Sequence, residues 1–143
     1  MTGVQTCALP ISLRMLNKRS YESALENLVL SIEADSFFAA PYNIRGIIYT
    51  KLDSLEAAKS SFEKALELDT LSVAARAGYG KVLCKLKEYS RAIENLQIAL
   101  SLDEAYTPAL LDMALSISQT DSSLKALEYL DRKSTRLNSS HRL

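Results

Sequence analysis

Cys84, Cys7 and His141 are the cysteines and the histidine of this 143-residue chain, and thiolate attack, acid–base catalysis or zinc binding would have to start from them. None has the setting it needs. A reactive thiolate requires a base or a lowered pKa, and no base stands near Cys84, which reads as a small residue on a helix. Cys7 and His141 lie within eleven residues of the two ends, away from any cluster of further ligands. The four glycines, Gly3, Gly46, Gly78 and Gly80, form no phosphate-binding loop, since the last three fall inside helical patterns. Acidic residues such as Glu63 and Glu67 read as solvated helix faces. The chain is therefore expected to be non-catalytic, with no metal and no cofactor.

The ends themselves are unusual. MTGVQTCALPI (Met1–Ile11) has no positive start, and its apolar run is interrupted by Gln5 and Thr6, so it fails as a secretory signal. DRKSTRLNSSH (Asp131–His141) can be encoded by a DNA string whose reverse complement, started at gtg, translates to MTGVQTCALPI without a mismatch. Protein physics generates no such relation between two termini. Both segments resemble the translated adapter ligated to fragments in short-read sequencing, and residues 1–11 and 131–143 are set aside as non-native. Without them the sequence has no histidine and one cysteine, so an internal disulfide is impossible. Thirteen basic and sixteen acidic residues remain, a net charge of −3. With no basic stripe, nucleic acid is not an expected partner. No run approaches the ~18–20 apolar residues of a membrane span. The true termini being absent, compartment is left open, cytoplasm standing only as a default.

The elements that carry Ser12–Leu130 repeat. Ala58 and Ala92, Phe62 and Leu96, Ala65 and Ala99, Asp69 and Asp103, and Gly46 and Gly80 are all 34 residues apart. The same step reaches Ala24, Leu28, Ser31 and Asp35 upstream and Ala126 and Leu130 downstream. Within each copy, Leu55, Ala58, Phe62 and Ala65 mark one face of a 3.6-residue period, as do Tyr89, Ala92, Leu96 and Ala99. Tyr42, Gly46 and Tyr49 form the matching stripe of a preceding helix. A glycine in a helix costs ~1 kcal/mol, so its recurrence points to a close backbone contact, with Ala58 and Ala92 opposite. Helices are predicted over Ser20–Glu33, Ala39–Lys51, Leu55–Leu68, Ser72–Lys85, Tyr89–Leu102, Thr107–Ser118 and Ser123–Leu130, the last running on towards Lys133. Asp53 and Glu56 suggest a capping box, and Thr107-Pro108 a cap followed by proline.

The period and these residues resemble the tetratricopeptide repeat, best over Ala39–Ser72, with Tyr42, Gly46, Tyr49, Ala58, Phe62 and Ala65 in place. Arg45 replaces the usual leucine, Asp53 the inter-helix glycine and Thr70 the closing proline. The resemblance implies an all-α fold, an α-solenoid of antiparallel helix pairs wound as a right-handed superhelix. Its divisions are a partial repeat at 12–38, repeats at 39–72 and 73–106, and a partial repeat at 107–130.

The resemblance also implies the use. Stacked pairs make an extended concave surface, so the expected function is a protein–protein interaction scaffold. The alternatives are a regulatory or substrate-recruiting arm of a larger multidomain enzyme and, more remotely, a small-ligand or lipid binder. By repeat position the groove is formed by Asn43, Ile47, Thr50 and Lys51, then by Ala74, Ala77, Lys81, Cys84 and Lys85, then by Leu111, Leu115 and Gln119. Chaperone-binding members of the family grip a C-terminal carboxylate, and Ala74 and Gly78 occupy two of the positions they use, which argues against that activity. An apolar floor with Lys51, Lys81 and Lys85 suits a protein or peptide segment carrying acidic residues beside apolar anchors.

Overall fold

The computed structural model describes residues 11–120 and 131, with side chains from residue 17 onward. Among these residues there are six helices and no strand: α1 (Ile11–Ala34), α2 (Ala39–Lys51), α3 (Leu55–Leu68), α4 (Val73–Lys85), α5 (Tyr89–Leu102) and α6 (Thr107–Ser118). Four of them have the bounds expected from the period. α4 starts one residue later, because Ser72 is its N-cap and its hydroxyl accepts the Ala75 N–H at 3.3 Å. The expected helix at Ser123–Leu130 lies outside the described residues; Asp131 beyond it is helical and exposed.

Turn chemistry explains why the elements stop where they do. The second helices α1, α3 and α5 each end at an aspartate that folds its carboxylate over the following turn, an Asx arrangement. Asp35, Asp69 and Asp103 accept the N–H of Phe37, Leu71 and Ala105 at 2.9, 3.1 and 3.0 Å. These aspartates close the repeats that lack the usual proline. The first helices α2 and α4 each end in a Schellman turn. In α2 the N–H groups of Asp53 and Ser54 reach back to Thr50 and Tyr49, and in α4 those of Lys87 and Glu88 reach Cys84 and Leu83. Asp53 and Lys87, again 34 apart, take φ of 57° and 64°. Asp53 therefore belongs to the end of α2 and no capping box forms: the N-cap of α3 is Ser54, without a side-chain cap. At α6 the N-cap is Tyr106, so Thr107 is already helical and Pro108 lies in the first turn.

The first element departs most from expectation. α1 runs unbroken from Ile11 through the register of that turn, where Arg19 stands. A left-handed L-residue costs ~1–2 kcal/mol and is adopted where two packed helices offset it. Around Arg19 no such face is present: Asn17, Lys18, Arg19 and Ser20 are all exposed. Accordingly Ala24 and Leu28 are only partly buried, and Val29 and Leu30 are 47% and 62% exposed.

Elsewhere the stripes are core. Tyr42, Ala58, Phe62, Ala65, Ala75, Tyr79, Val82, Leu83 and Ala92 share one cluster, and Leu96, Ala99, Leu100, Ala109 and Met113 a second. Gly46 and Gly80 are the close approaches expected of them, although the facing residues are Phe62 and Leu96 more than the alanines. A Cβ on Gly46 would fall 2.9 Å from three atoms of the Phe62 ring, and one on Gly80 only 2.6 Å from Leu96 Cγ and 3.4 Å from the Ala92 carbonyl. Curvature follows from the pairing. α2 packs on α4 and α4 on α6, whereas α1, α3 and α5 do not pack on one another, so first helices crowd the inner side of the solenoid.

Polar side chains stitch the repeats. The Arg45 guanidinium lies 5.0 Å from the Tyr42 ring centroid, and its Nε donates to the buried Ser61 hydroxyl at 3.1 Å. In the next repeat the two types exchange places: Arg76 holds the Tyr42 position and donates to Asn95, in register with Ser61, at 3.1 Å. Tyr79, at the Arg45 position, donates to Glu63 at 2.8 Å and accepts from Arg91 at 3.0 Å. Arg91 also pairs with Glu88, which accepts from Lys59 at 2.7 Å. Glu63 is thus part of a network that leaves α3, crosses α4 and α5 and returns to α3, while Glu67 makes an exposed pair with Lys64 as a solvated face would. Burial and the bond to Glu63 push the Tyr79 hydroxyl up to about 12, so it stays protonated.

Candidate functional site

The inner side of the solenoid opens into a groove of about 460 Å³. α2 supplies Ile47, Thr50 and Lys51; α4 supplies Ala77, Gly78, Lys81 and Lys85; Tyr106 and, from α6, Pro108 and Asp112 close the far wall. Phe62 of α3 reaches the floor between the first helices.

Six of the residues assigned by repeat position come together here: Ile47, Thr50, Lys51, Ala77, Lys81 and Lys85. The other six do not line it. Asn43 is half-buried with its Oδ1 enclosed and unpartnered, Ala74 is exposed, and Cys84 is a free thiol packed half-buried against the core. Leu111, Leu115 and Gln119 are exposed on α6, Leu111 and Leu115 at 63% and 49%.

Phe62, Gly78, Tyr106, Pro108 and Asp112 were not assigned to the groove. Phe62 reads as pure core from its stripe, and it is 1% exposed. Its ring meets the floor because Gly78 places no side chain over it: a Cβ there would lie 2.5 Å from the ring. The signal was a glycine outside the repeat's regular position. Tyr106 and Pro108 come from a turn that the helical period does not address. Asp112 carried a signal of its own, an acid inside the otherwise uncharged helix TPALLDMALSIS.

The groove's charges are unevenly satisfied. Lys85 pairs with Asp53 across the repeat boundary at 3.2 Å. Lys51 and Lys81 have no hydrogen-bonding or ion-pairing partner among the described residues. The Thr50 hydroxyl is spent on its own helix, donating to the Gly46 carbonyl at 2.8 Å. Asp112 is 8% exposed and its carboxylate has no hydrogen-bond partner among the described residues. Burial holds its pKa above the ordinary carboxylate value, opposed by the nearby charge of Lys81.

A carboxyl whose folded-state pKa is raised is least costly when neutral, so its cost sets in as pH rises above the ordinary value of 3.8. Asp112→Asn is therefore expected to raise the melting temperature at pH 7 and to lose that advantage as pH falls towards 3.8. Melts of both proteins across that range check the sign; a variant less stable at pH 7 would show that the charged form is stabilised in the fold.

No helix of the described residues is long and apolar enough to cross a membrane, and no group of three potential ligands could hold a metal ion.

Comparison with known proteins places these features in context. Residues 39–70 match the family model described as "Tetratricopeptide repeat". The Hsp70-Hsp90 organizing protein of Triticum aestivum is 29% identical over 89 residues, covering 62% of this chain and 15% of that protein. The chain thus spans a small part of that relative. Among solved structures, the crystal structure of MamA superposes with a TM-score of 0.77 at 21% identity, covering 86% of this chain and 72% of that one. The second TPR domain of human RPAP3, solved in complex with the HSP70 peptide SGPTIEEVD, superposes with a TM-score of 0.65 at 24% identity, covering 71% of this chain and 84% of that one.

Proposed function

We propose, taking the tetratricopeptide-repeat fold of this chain as the premise, that it is a non-catalytic scaffold whose inner groove binds an extended or helical segment of a partner protein. The unit that does so is residues 12–130, and the segment carries acidic residues beside apolar anchors. One observation supports this reading above others. The groove joins apolar surface from Ile47 and Tyr106, over a floor of Phe62 and Ala77, to two lysines, Lys51 and Lys81, that form no ion pair among the described residues. Such cations act mainly on association rate and selectivity. The acidic peptide held by the human RPAP3 domain belongs to the same ligand class. Ala74 and Gly78 offer no polar side chain for a terminal carboxylate, so internal segments are the ligands expected here.

The test is binding of fluorescent decapeptides with leucine anchors and varied acidic content, read by anisotropy. Lys51→Glu/Lys81→Glu is expected to weaken the best binders about tenfold or more. Lys64→Glu, on the exposed face of α3, should leave them unchanged. Equal affinity for all three proteins would remove the groove from consideration.

The same reading keeps residues 1–11 and 131–143 as foreign flanks. Sequencing the native locus tests that: two inverted copies of one DNA segment should be missing there. The native frame would also show whether the repeats serve as the arm of a larger enzyme.

A further inference from the structure

Asp112 is a residue the fold does not need as a charge. The first helices place Ile44, Gly78 and Asp112 in one register of the repeat. In α2 that position is an exposed apolar side chain, and in α4 it is no side chain at all. In α6 it is an aspartate, 8% exposed as a residue, whose carboxylate lies on the wall of the groove with no hydrogen bond to satisfy it among the described residues. The neighbouring Ser116 hydroxyl could have served it but donates instead to the Asp112 backbone carbonyl at 2.8 Å. Lys81, across the groove on α4, is close enough to be felt electrostatically yet forms no ion pair with it. A buried ionised carboxylate is normally paired or coordinated. Here the pairing position is open to the groove.

We propose that Asp112 is a specificity-determining residue of this groove, accepting the ammonium or guanidinium of one lysine or arginine in the bound segment. This rests on the groove being the binding site and deepens that reading: the segment is acidic, apolar-anchored and carries one basic residue at a fixed offset from its anchor. A cation is the fitting occupant because it supplies both the missing donor and the missing charge. A main-chain amide would supply only the donor. With the ligand's cation on Asp112, Lys51 and Lys81 remain free for its acids, so acidic and basic groups of the segment are read on opposite walls.

The experiment uses the same leucine-anchored acidic decapeptides with a lysine walked through every other position, each matched by a norleucine version that keeps the stem and removes the charge. Affinities are measured for the parent and for Asp112→Asn, both checked by melting curves. At one offset the parent should prefer lysine over norleucine about tenfold or more, as for a charge-assisted bond, and Asp112→Asn should lose that preference, binding the lysine and norleucine peptides of each pair equally. Binding with no preference for lysine at any offset overturns this proposal and leaves the groove reading standing, as does a preference that survives Asp112→Asn. Failure of every peptide to bind overturns both.

Discussion

Phe62→Ala is expected to remove about 3–5 kcal/mol of stability, a large share of what a domain of this size holds. The ring is 1% exposed and lies between two glycines, Gly46 of α2 and Gly78 of α4, where an added Cβ would fall 2.9 Å and 2.5 Å from it. Truncation therefore opens a slot on two sides where no side chain can lean in, and relaxation needs whole helices to move. Cavities that cannot collapse sit at the costly end of the range. Urea titration of parent and variant measures it, and an unchanged midpoint would show that the ring is not packed as described. The variant also deepens the groove floor, so it should lose peptide binding even at temperatures where it stays folded.

Gly80→Val is expected to cost about 2–3 kcal/mol by overpacking. A Cβ at Gly80 meets the fully buried Leu96 at 2.6 Å and has the Ala92 carbonyl behind it at 3.4 Å. A leucine tip can rotate away, but the backbone of α5 cannot, so a branched residue must separate α4 from α5. Helix propensity works the other way, since valine is the better helix former by a few tenths of a kcal/mol. The expected sign thus rests on the clash alone. Leu96→Ala in the same background should recover part of the loss, which a double-mutant cycle reads directly. If Gly80→Val alone were as stable as the parent, the two helices would have to sit farther apart than they do here.

What the sequence reveals is uneven, and the reason is physical. Helices recur because buried stripes recur, so a 34-residue step finds Ala58, Phe62 and Ala65 and their counterparts, and with them the limits of α2, α3, α5 and α6. The two ends of each pair were harder. Asp53 looks like a cap by type, yet its place after a packed helix gives it a left-handed backbone, as it does Lys87. The groove was half readable. Positions on first helices predicted Lys51, Lys81 and Lys85 because repeat geometry fixes where those side chains start. Gly78 matters through a side chain it lacks, Tyr106 and Pro108 through a turn, and Asp112 through a partner it does not have. Arg45 resolves only in three dimensions, where Tyr42 and Ser61 occupy its guanidinium.

The side-chain circuit from Lys59 through Glu88, Arg91 and Tyr79 to Glu63 gives the solenoid a clasp at its middle. Opening in such arrays is expected to begin at the outer helices and to halt where neighbouring units are tied most tightly. Amide protons of α3, α4 and α5 should then exchange last, and those of α1 and α6 first. Asp112 rides on α6, the side of the groove that opens early, while Lys81 rides on the clasped part. A bound segment would span the two, and its arrival should slow exchange in α6 most, so that recruiting a partner and setting α6 in place become a single equilibrium.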